Sequence, residues 1–458
     1  MEERLKRLKR IFEPKSIAII GASNTPAKVG NVILKNFIEG NYTGKIYPVN
    51  PKYDKITNMK CYASVDKITG RIDCAIIATP AETIPKILEE CGRKGVGGAI
   101  ILSGGFEEVK EFGLAGEIKK ISEKYKMPVI GPNCLGVYNP YTKVDSIFLP
   151  MYKLERPVPG RISFVTQSGA VGSAIIDMAA QYNIGIAKFI SYGNATVLDE
   201  SDYLKYLEHD KKTKVIILYI EGTKDGKKLL KQLIKTNRKK PIIVLKAGRY
   251  GKAQEAARSH TGNIAGNYMA YQAAFRQAKV IEAEGIDEVF DFVKIFAQTR
   301  PQGKKIGIIT NGGGLGVLTT DAVEEEELEI AGLSEQTKKD IKKILPSYGN
   351  VANPLDLVAD ASVESYRKVI EIFMRDPGID IMVIIILMQT PPMDERIIDV
   401  VVNASNDKRK PIVNISVGGK YTERYQRVLE GKGVPTYKSP RNAIKAIKKL
   451  IEYSNYRR

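Results

Sequence analysis

The chain has 458 residues, 43% of them hydrophobic, enough for two or three globular domains with full cores that need no disulfide or metal to hold them. The formal net charge of +19 is spread along the chain among acids, without an Arg-rich arm or interleaved aromatics, so it reads as a solvated lysine-rich surface and not as a nucleic-acid footprint. Four scattered cysteines, a charged opening (MEERLKRLKR) and a longest apolar run of only Ile381 to Met388 argue against disulfide, metal, secretory and membrane-spanning classes, and a cytoplasmic protein is expected.

From Ser16 onward, short Val/Ile-rich runs alternate with longer amphipathic segments, the pattern of parallel strands joined by helical crossovers. SIAIIGAS, GKIYPVN, CAIIATP, GAIILSGG and PVIGPNCLG mark five strands of a doubly wound, Rossmann-like domain over residues 1–145, with ligand groups expected where the strands end. The loop GASNTPAKVG (Gly21 to Gly30) leaves the first strand for a helix, so its N–H groups can cradle a pyrophosphate, although a glycine there is also common punctuation. After the second strand an NAD site wants an acid, and this chain has Asn50, Pro51 and Lys52. A lysine there suits an extra phosphate, as in NADP or the 3′-phosphate of CoA; an ordinary surface lysine is the competing explanation. The Pro- and Tyr-rich stretch YNPYTKVDSIFLPMYKLERPVPG then reads as a linker.

Two further units follow, and they are alike. In RISFVTQSGAVGSAIIDMA, Thr166, Gly169, Gly172 and Asp177 align with Thr310, Gly313, Gly316 and Asp321 of KIGIITNGGGLGVLTTDAV, and YGN at Tyr192 matches YGN at Tyr348. Residues 152–300 and 301–458 are therefore expected to be two copies of one flavodoxin-like open parallel sheet. The turns QSGAVG and NGGGLG each place small residues between a strand and a helix, so Gln167, Ser168 and Gly169, and Gly312, Gly313 and Gly314, are candidates to bind an anion at a helix N-terminus. Close helix–sheet packing explains a single such turn equally well; the pair favours anion binding, and the two turns are expected to approach each other across a pseudo-twofold.

The repeat breaks at SHTGNIAGN (Ser259 to Asn267), an insertion found in only one copy, and it carries one of the chain's two histidines. His260 sits among small residues with little apolar surface to pack, so a core role explains it poorly, whereas a neutral imidazole is a good nucleophile toward a phosphoryl group. Glu221, ending the strand VIILYIE, is the carboxylate best placed to fix its tautomer, with a solvated strand-end acid as the competing reading. His209, in the polar YLEHDKKTK, reads as a surface residue. There is no GxxxxGK[ST] and no GxSxG elbow.

Jointly, the SHTG…AG loop, QSGAVG, NGGGLG, GPNCLG (Gly131 to Gly136), YIEG and NPLD (Asn353 to Asp356) resemble the α subunits of ADP-forming acetyl-CoA synthetases, in the wider succinyl-CoA synthetase superfamily, over nearly the whole chain. The resemblance implies a CoA site formed by Gly21, Ala22, Ser23, Lys52, Thr79, Pro80, Leu102, Ser103 and Asn133. It also implies transient phosphorylation of His260, orientation of that histidine by Glu221, and phosphate stabilisation by both glycine turns. The implied reaction turns acyl-CoA, phosphate and ADP into carboxylic acid, CoA and ATP through an acyl phosphate and a phosphohistidine. Mg-nucleotide is expected on an ATP-grasp module, which nothing in this sequence resembles, so an ATP-grasp β subunit is expected as partner in a heteromer, α2β2 being one such arrangement. The competing readings are a non-catalytic CoA-sensing or scaffolding subunit and an NADP-linked oxidoreductase.

Overall fold

The structure is a computed structural model and describes residues 2–253 and 267–457. By internal contacts the chain divides into two compact units, Met1–Glu284 and Gly285–Arg458.

The first unit holds two sheets and a small hairpin. Strands β1 (Ser16–Ile20), β2 (Lys45–Val49), β5 (Cys74–Ile77), β6 (Gly98–Ile101) and β7 (Val129–Ile130) pair in the order β2-β1-β5-β6-β7, all parallel. Strands β3 (Lys55–Ile56) and β4 (Met59–Lys60) form the hairpin. Every residue of β1, β5 and β6 is buried, as expected for parallel strands covered by helices on both faces. The chain order reverses direction between β1 and β5, and at that switch point the strand ends open a crevice.

The second sheet has the order β14-β13-β12-β10-β11-β8-β9, built from β8 (Val137–Asn139), β9 (Val144–Asp145), β10 (Pro159–Thr166), β11 (Ile186–Ser191), β12 (Val215–Ile220), β13 (Ile242–Lys246) and β14 (Ile281–Ala283). Strands β10 to β14 are parallel; β8 and β9 are antiparallel additions at one edge. Those two strands come from the stretch expected to be a linker. They are three and two residues long, too short to carry a period, and what holds them is tertiary. Asn139 is buried and donates to the Phe12 carbonyl at 2.8 Å, and Asp145 forms an ion pair with Arg156 at 2.8 Å with both side chains buried. Burial nevertheless raises the Asp145 carboxyl above its ordinary value against the pull of Arg156.

In the second unit, β15 (Lys305–Thr310), β16 (Glu329–Ile330), β18 (Ile381–Ile385), β19 (Ile412–Ile415) and β20 (Thr436–Tyr437) run in the order β16-β15-β18-β19-β20. The second sheet's β11-β10-β12-β13-β14 has the same 2-1-3-4-5 order, the flavodoxin-like arrangement that the internal repeat predicts. One difference is local: β17 (Leu355–Asp356) pairs with the end of β15, at Ile309 and Thr310, so two short pieces share the place that β11 fills alone.

Candidate functional site

The residues expected around CoA lie along the C-terminal ends of β1, β2, β5, β6 and β7, and backbone hydrogen bonds fix them there. Gly21 has φ +90°, and a Cβ on it would stand 2.5 Å from the Ala78 carbonyl oxygen, so only glycine lets β1 turn this close to β5. Asn50 donates to the Ala22 carbonyl at 2.8 Å and Asn31 to the Ser23 carbonyl at 2.9 Å. Lys52 is exposed at the mouth of the crevice, its N–H held by the Asn50 side chain at 2.9 Å. Across the switch point, Ser103 donates to the Thr79 carbonyl at 2.6 Å, Pro80 follows at the exposed rim, and the Leu102 N–H continues the ladder to Ile77 at 3.1 Å. Asn133, at φ +56°, gives its N–H to the Ser103 carbonyl at 2.9 Å and its side-chain amide to Asn194 at 3.2 Å. Asn194 in turn donates to Glu108. Burial pushes the Glu108 carboxyl up, but hydrogen bonds from Asn194 and the N–H groups of Gly105 and Phe106 outweigh it and leave the pKa below its usual value.

The first glycine turn joins β10 to the helix Gly169–Gln181, which Ser168 caps by accepting from the Val171 N–H at 3.3 Å. Gly172 is the packing glycine, since a Cβ there would meet the Phe189 ring at 2.7 Å and Thr166 at 2.9 Å. Gly169 is different: its nearest neighbour, Leu135, would sit at an ordinary 3.5 Å. Packing therefore accounts for one glycine of the turn and leaves the helix N-terminus open at the other.

Gln167 is buried, and its side-chain oxygen accepts from the N–H groups of Glu221 (2.8 Å) and Gly222 (3.1 Å). Two backbone donors fix which end of the amide is oxygen. The other end, Nε2, is a buried donor with no hydrogen-bond partner among the described residues. Such a group costs roughly 1–3 kcal/mol unless something accepts from it.

The second repeat has the same clamp without the spare donor. Asn311, at the position matching Gln167, accepts from the Leu387 N–H at 2.8 Å, but its amide nitrogen is used by the Leu387 carbonyl and Thr390, both at 3.2 Å. Where the first repeat presents Glu221, this one presents Leu387. At the turn itself Gly312 caps the helix Gly313–Glu325 with no side-chain bond, Gly314 has open space around it, and a Cβ on Gly313 would stand 2.6 Å from the Asp356 carboxylate. The two turns share a frame and differ in charge: an acid already lies against the second.

A cavity of about 340 Å³ joins the first turn to the strand ends of the first sheet. Its lining includes Leu102 and Asn133 from one side and Gln167, Ser168 and Gly169 from the other, closed by Leu135, Phe148 and Asn194. Cys134 also lines it, with burial pushing the thiol up to about 12, which keeps it protonated and inert.

Glu221 ends β12, buried, with a side-chain oxygen accepting from the Tyr219 hydroxyl at 3.2 Å. Beneath it lies a residue the sequence reading did not single out. Lys246, at the end of β13, is buried and donates to the Glu221 carbonyl at 2.8 Å; burial lowers its pKa to about 8, with Glu221 opposing the shift. The signal was a lysine closing an otherwise apolar strand, IIVLK. Glu200 was missed as well. It is 1% exposed, accepts from the Thr223 hydroxyl, and is raised by burial from the ordinary 4.5 to about 7. His260 lies outside the described residues; β13, which precedes its segment, pairs with β12 through Ile220 and Lys246, next to Glu221. His209 is exposed at a helix end, with Nδ1 3.0 Å from the Lys205 carbonyl. The four cysteines are free and buried, as expected for structural thiols.

Family models match three stretches: a CoA binding domain at residues 15–140, a succinyl-CoA ligase like flavodoxin domain at 159–296, and a Ligase-CoA domain at 306–449. The α subunit of acetate–CoA ligase [ADP-forming] II of Pyrococcus furiosus is 38% identical over 449 residues, 96% of each chain. Acetate–CoA ligases [ADP-forming] of Archaeoglobus fulgidus and Methanocaldococcus jannaschii are 40% and 43% identical over 98% of this chain, which spans only 64% and 63% of their length. Among solved structures, a dinucleotide forming acetyl-coenzyme A synthetase 1 of Ca. Korarchaeum cryptofilum, in complex with phosphate and ADP, superposes with a TM-score of 0.92 at 32% identity, covering 98% of this chain and 97% of that one.

Proposed function

Since the chain belongs to the family of the ADP-forming acetate–CoA ligases, we propose that it is the CoA-binding, phosphohistidine-forming half of an acyl-CoA synthetase that makes carboxylic acid, CoA and ATP from acyl-CoA, phosphate and ADP. The observation that carries this reading is the single cavity lined by both the CoA-crevice residues and Gln167, Ser168 and Gly169, with a spare Gln167 donor.

On this reading the first sheet binds CoA through Gly21, Ala22, Ser23, Thr79, Pro80, Leu102, Ser103 and Asn133, with Lys52 meeting the 3′-phosphate, and its thioester end lies in the cavity. Phosphate sits against the N-terminus of the helix Gly169–Gln181 and the Gln167 amide, where the helix dipole and N–H groups favour an anion. A phosphate oxygen attacks the thioester carbonyl carbon, the C–S bond breaks, and CoA leaves as thiolate. The same donors stabilise the oxyanion that forms on the way. A neutral His260 nitrogen then attacks phosphorus, the P–O bond to the acyl group breaks, and the carboxylate departs. Glu221 holds the imidazole in the tautomer that leaves this nitrogen unprotonated. The phosphohistidine finally gives its phosphoryl group to ADP. Gly312, Gly313 and Gly314 are assigned to phosphate on the same reading, and residues 1–145, 152–300 and 301–458 are the proposed functional modules. The nucleotide, with its magnesium, is assigned to an ATP-grasp β subunit; P. furiosus relatives matched over 96% and 98% of their length are named as α subunits.

The test is turnover. The full chain combined with the ATP-grasp protein of its source should release CoA from acetyl-CoA continuously, beyond one equivalent per site, only when phosphate and ADP are both supplied, with one ATP formed per CoA. Multiple-turnover release without ADP, or no release in the reconstituted mixture, overturns the proposal.

A further inference from the structure

Part of the positive charge that is scattered along the sequence is gathered in one place by the fold. At the N-terminal ends of the first sheet's strands, opposite the edge that carries the CoA candidates, lies an open pocket of about 540 Å³, within the range of about 300–1,000 Å³ usual for small-molecule sites. Six cations from four separate segments line it: Lys6, Lys9 and Arg10 from the opening helix Glu2–Phe12, Lys15 just before β1, Lys45 at the start of β2, and Arg71 before β5. Among the described residues its acids are Glu13 and Asp73. We propose that this pocket is a binding site for a condensed phosphate chain, two or three linked phosphates, either free or as the tail of a nucleotide.

Both acids are already engaged. Glu13 pairs with Lys9 at 3.4 Å, while Asp73 is buried, pairs with Arg71 at 3.1 Å and accepts the Lys15 N–H at 2.9 Å. Lys6, Arg10, Lys15 and Lys45 therefore line one concavity with no ion pair among the described residues. Like charges held together repel, and a cleft lined by one sign of charge concentrates its field on whatever counter-ion enters. The C-terminal dipole of the opening helix accounts for Lys9 and Arg10, which lie in its last turn. It does not account for the lysines that β1 and β2 bring to the same place.

The backbone around the pocket is fixed. The Lys45 N–H bonds the Lys15 carbonyl at 2.9 Å and the Asp73 N–H bonds the Ser16 hydroxyl at 3.1 Å, so the starts of three neighbouring strands are tied together. A Cβ on Gly70 would run into the Tyr47 hydroxyl, which has no hydrogen-bond partner among the described residues and adds a neutral donor to the wall. Lysines meet phosphates as point charges, and cations spread over this volume exceed what a single orthophosphate can engage; linked phosphates reach several at once. Tyr47 is the one aromatic among the lining residues, and its ring already packs edge-on against Tyr62, with centroids 5.9 Å apart. A nucleoside thus has no free ring to stack on, and the phosphate chain is the part recognised.

The experiment is calorimetric binding of sodium triphosphate, ATP, orthophosphate and an oligothymidylate to the full chain, at low salt and without divalent metal. Triphosphate should bind roughly tenfold or more tightly than orthophosphate, and should weaken roughly fivefold as salt rises from about 50 to about 200 mM. Lys6→Gln combined with Lys45→Gln should weaken triphosphate roughly tenfold. Lys119→Gln combined with Lys120→Gln removes the same charge from the helix Phe112–Tyr125, outside the pocket, and should leave triphosphate binding nearly unchanged. All four lysines are exposed, so neither pair threatens the fold. ATP matching triphosphate supports recognition of the chain from either source, and a tenfold preference for one of them names that source. Triphosphate binding that is absent, no tighter than orthophosphate, unmoved by the Lys6 and Lys45 pair, or equally weakened by the control pair overturns the proposal. So does an oligothymidylate that binds more tightly than triphosphate, which would make this face a nucleic-acid surface.

Discussion

The side-chain oxygen of Gln167 takes the backbone N–H of Glu221 at 2.8 Å, so the end of β10 dictates where the end of β12 presents its acid. One residue thus places the proposed carboxylate and also keeps a buried, unpartnered donor beside the first turn. These two tasks can be separated by substitution. Gln167→Glu keeps an oxygen acceptor for the two N–H groups and replaces the free donor with a second acceptor. It should lower the melting temperature, because the new oxygen is buried without a donor, and lose roughly 10²-fold in turnover with a raised KM for phosphate. Gln167→Ala removes the acceptor as well and should cost roughly 1–3 kcal/mol of stability in addition. Thermal melts and phosphate saturation curves on both variants decide it; normal phosphate kinetics in Gln167→Glu would remove this residue from the site.

His260 should carry the phosphoryl group. Incubated with its ATP-grasp partner and labelled ATP, the chain should acquire label that is lost in acid and kept in base, because a phosphoramidate hydrolyses in acid while a phosphoserine survives it. His260→Ala should abolish label and turnover together, and His209→Ala should change neither. Glu221→Gln should slow labelling by roughly 10²–10⁴-fold. Label that persists in His260→Ala would overturn the assignment.

Lys52 should discriminate CoA from dephospho-CoA. Because it is exposed, its contact with the 3′-phosphate is screened, and Lys52→Ala should weaken CoA by roughly fivefold while leaving dephospho-CoA nearly unchanged. Calorimetry on the full chain with both ligands checks this, and equal losses would assign the extra phosphate elsewhere.

Glu200 should make stability depend on pH. Burial raises its pKa from 4.5 to about 7, so between those values the folded chain holds a proton that the unfolded chain has released. Its contribution is present in full below pH 4.5 and is lost as pH rises through about 7. Glu200→Gln removes this dependence. Denaturant titrations should show the variant gaining roughly 2–3 kcal/mol on the unaltered chain between pH 5 and pH 8. A constant difference across that range would mean the carboxyl is ionised throughout.

Much of this molecule was legible before its structure. The strand runs and the repeat follow from apolar runs and glycine spacing, because local periodicity encodes them. The residues that the family resemblance assigns to CoA lie at the C-terminal edge of one sheet, each just past a strand that the pattern had marked. What escaped is what only tertiary contact defines. Nothing local separates Gln167, with its spare donor, from Asn311, whose amide is fully engaged, since the difference lies in what surrounds the end of a strand more than fifty residues away. Lys246 and Glu200 likewise read as ordinary charged residues until burial reveals them.

The short strands β8 and β9 have a consequence for how such proteins exchange parts. After the last strand of the cofactor-binding sheet β8 pairs with β11, β9 pairs with β8, and Arg156 then locks Asp145 before β10 begins. A recombination breakpoint placed at the apparent module border strips β11 of its neighbour and bares a sheet edge prone to adhesion. One placed further along carries off strands that belong to the recipient. The cofactor module therefore has no clean seam, and inheritance should keep it spliced to the sheet that follows.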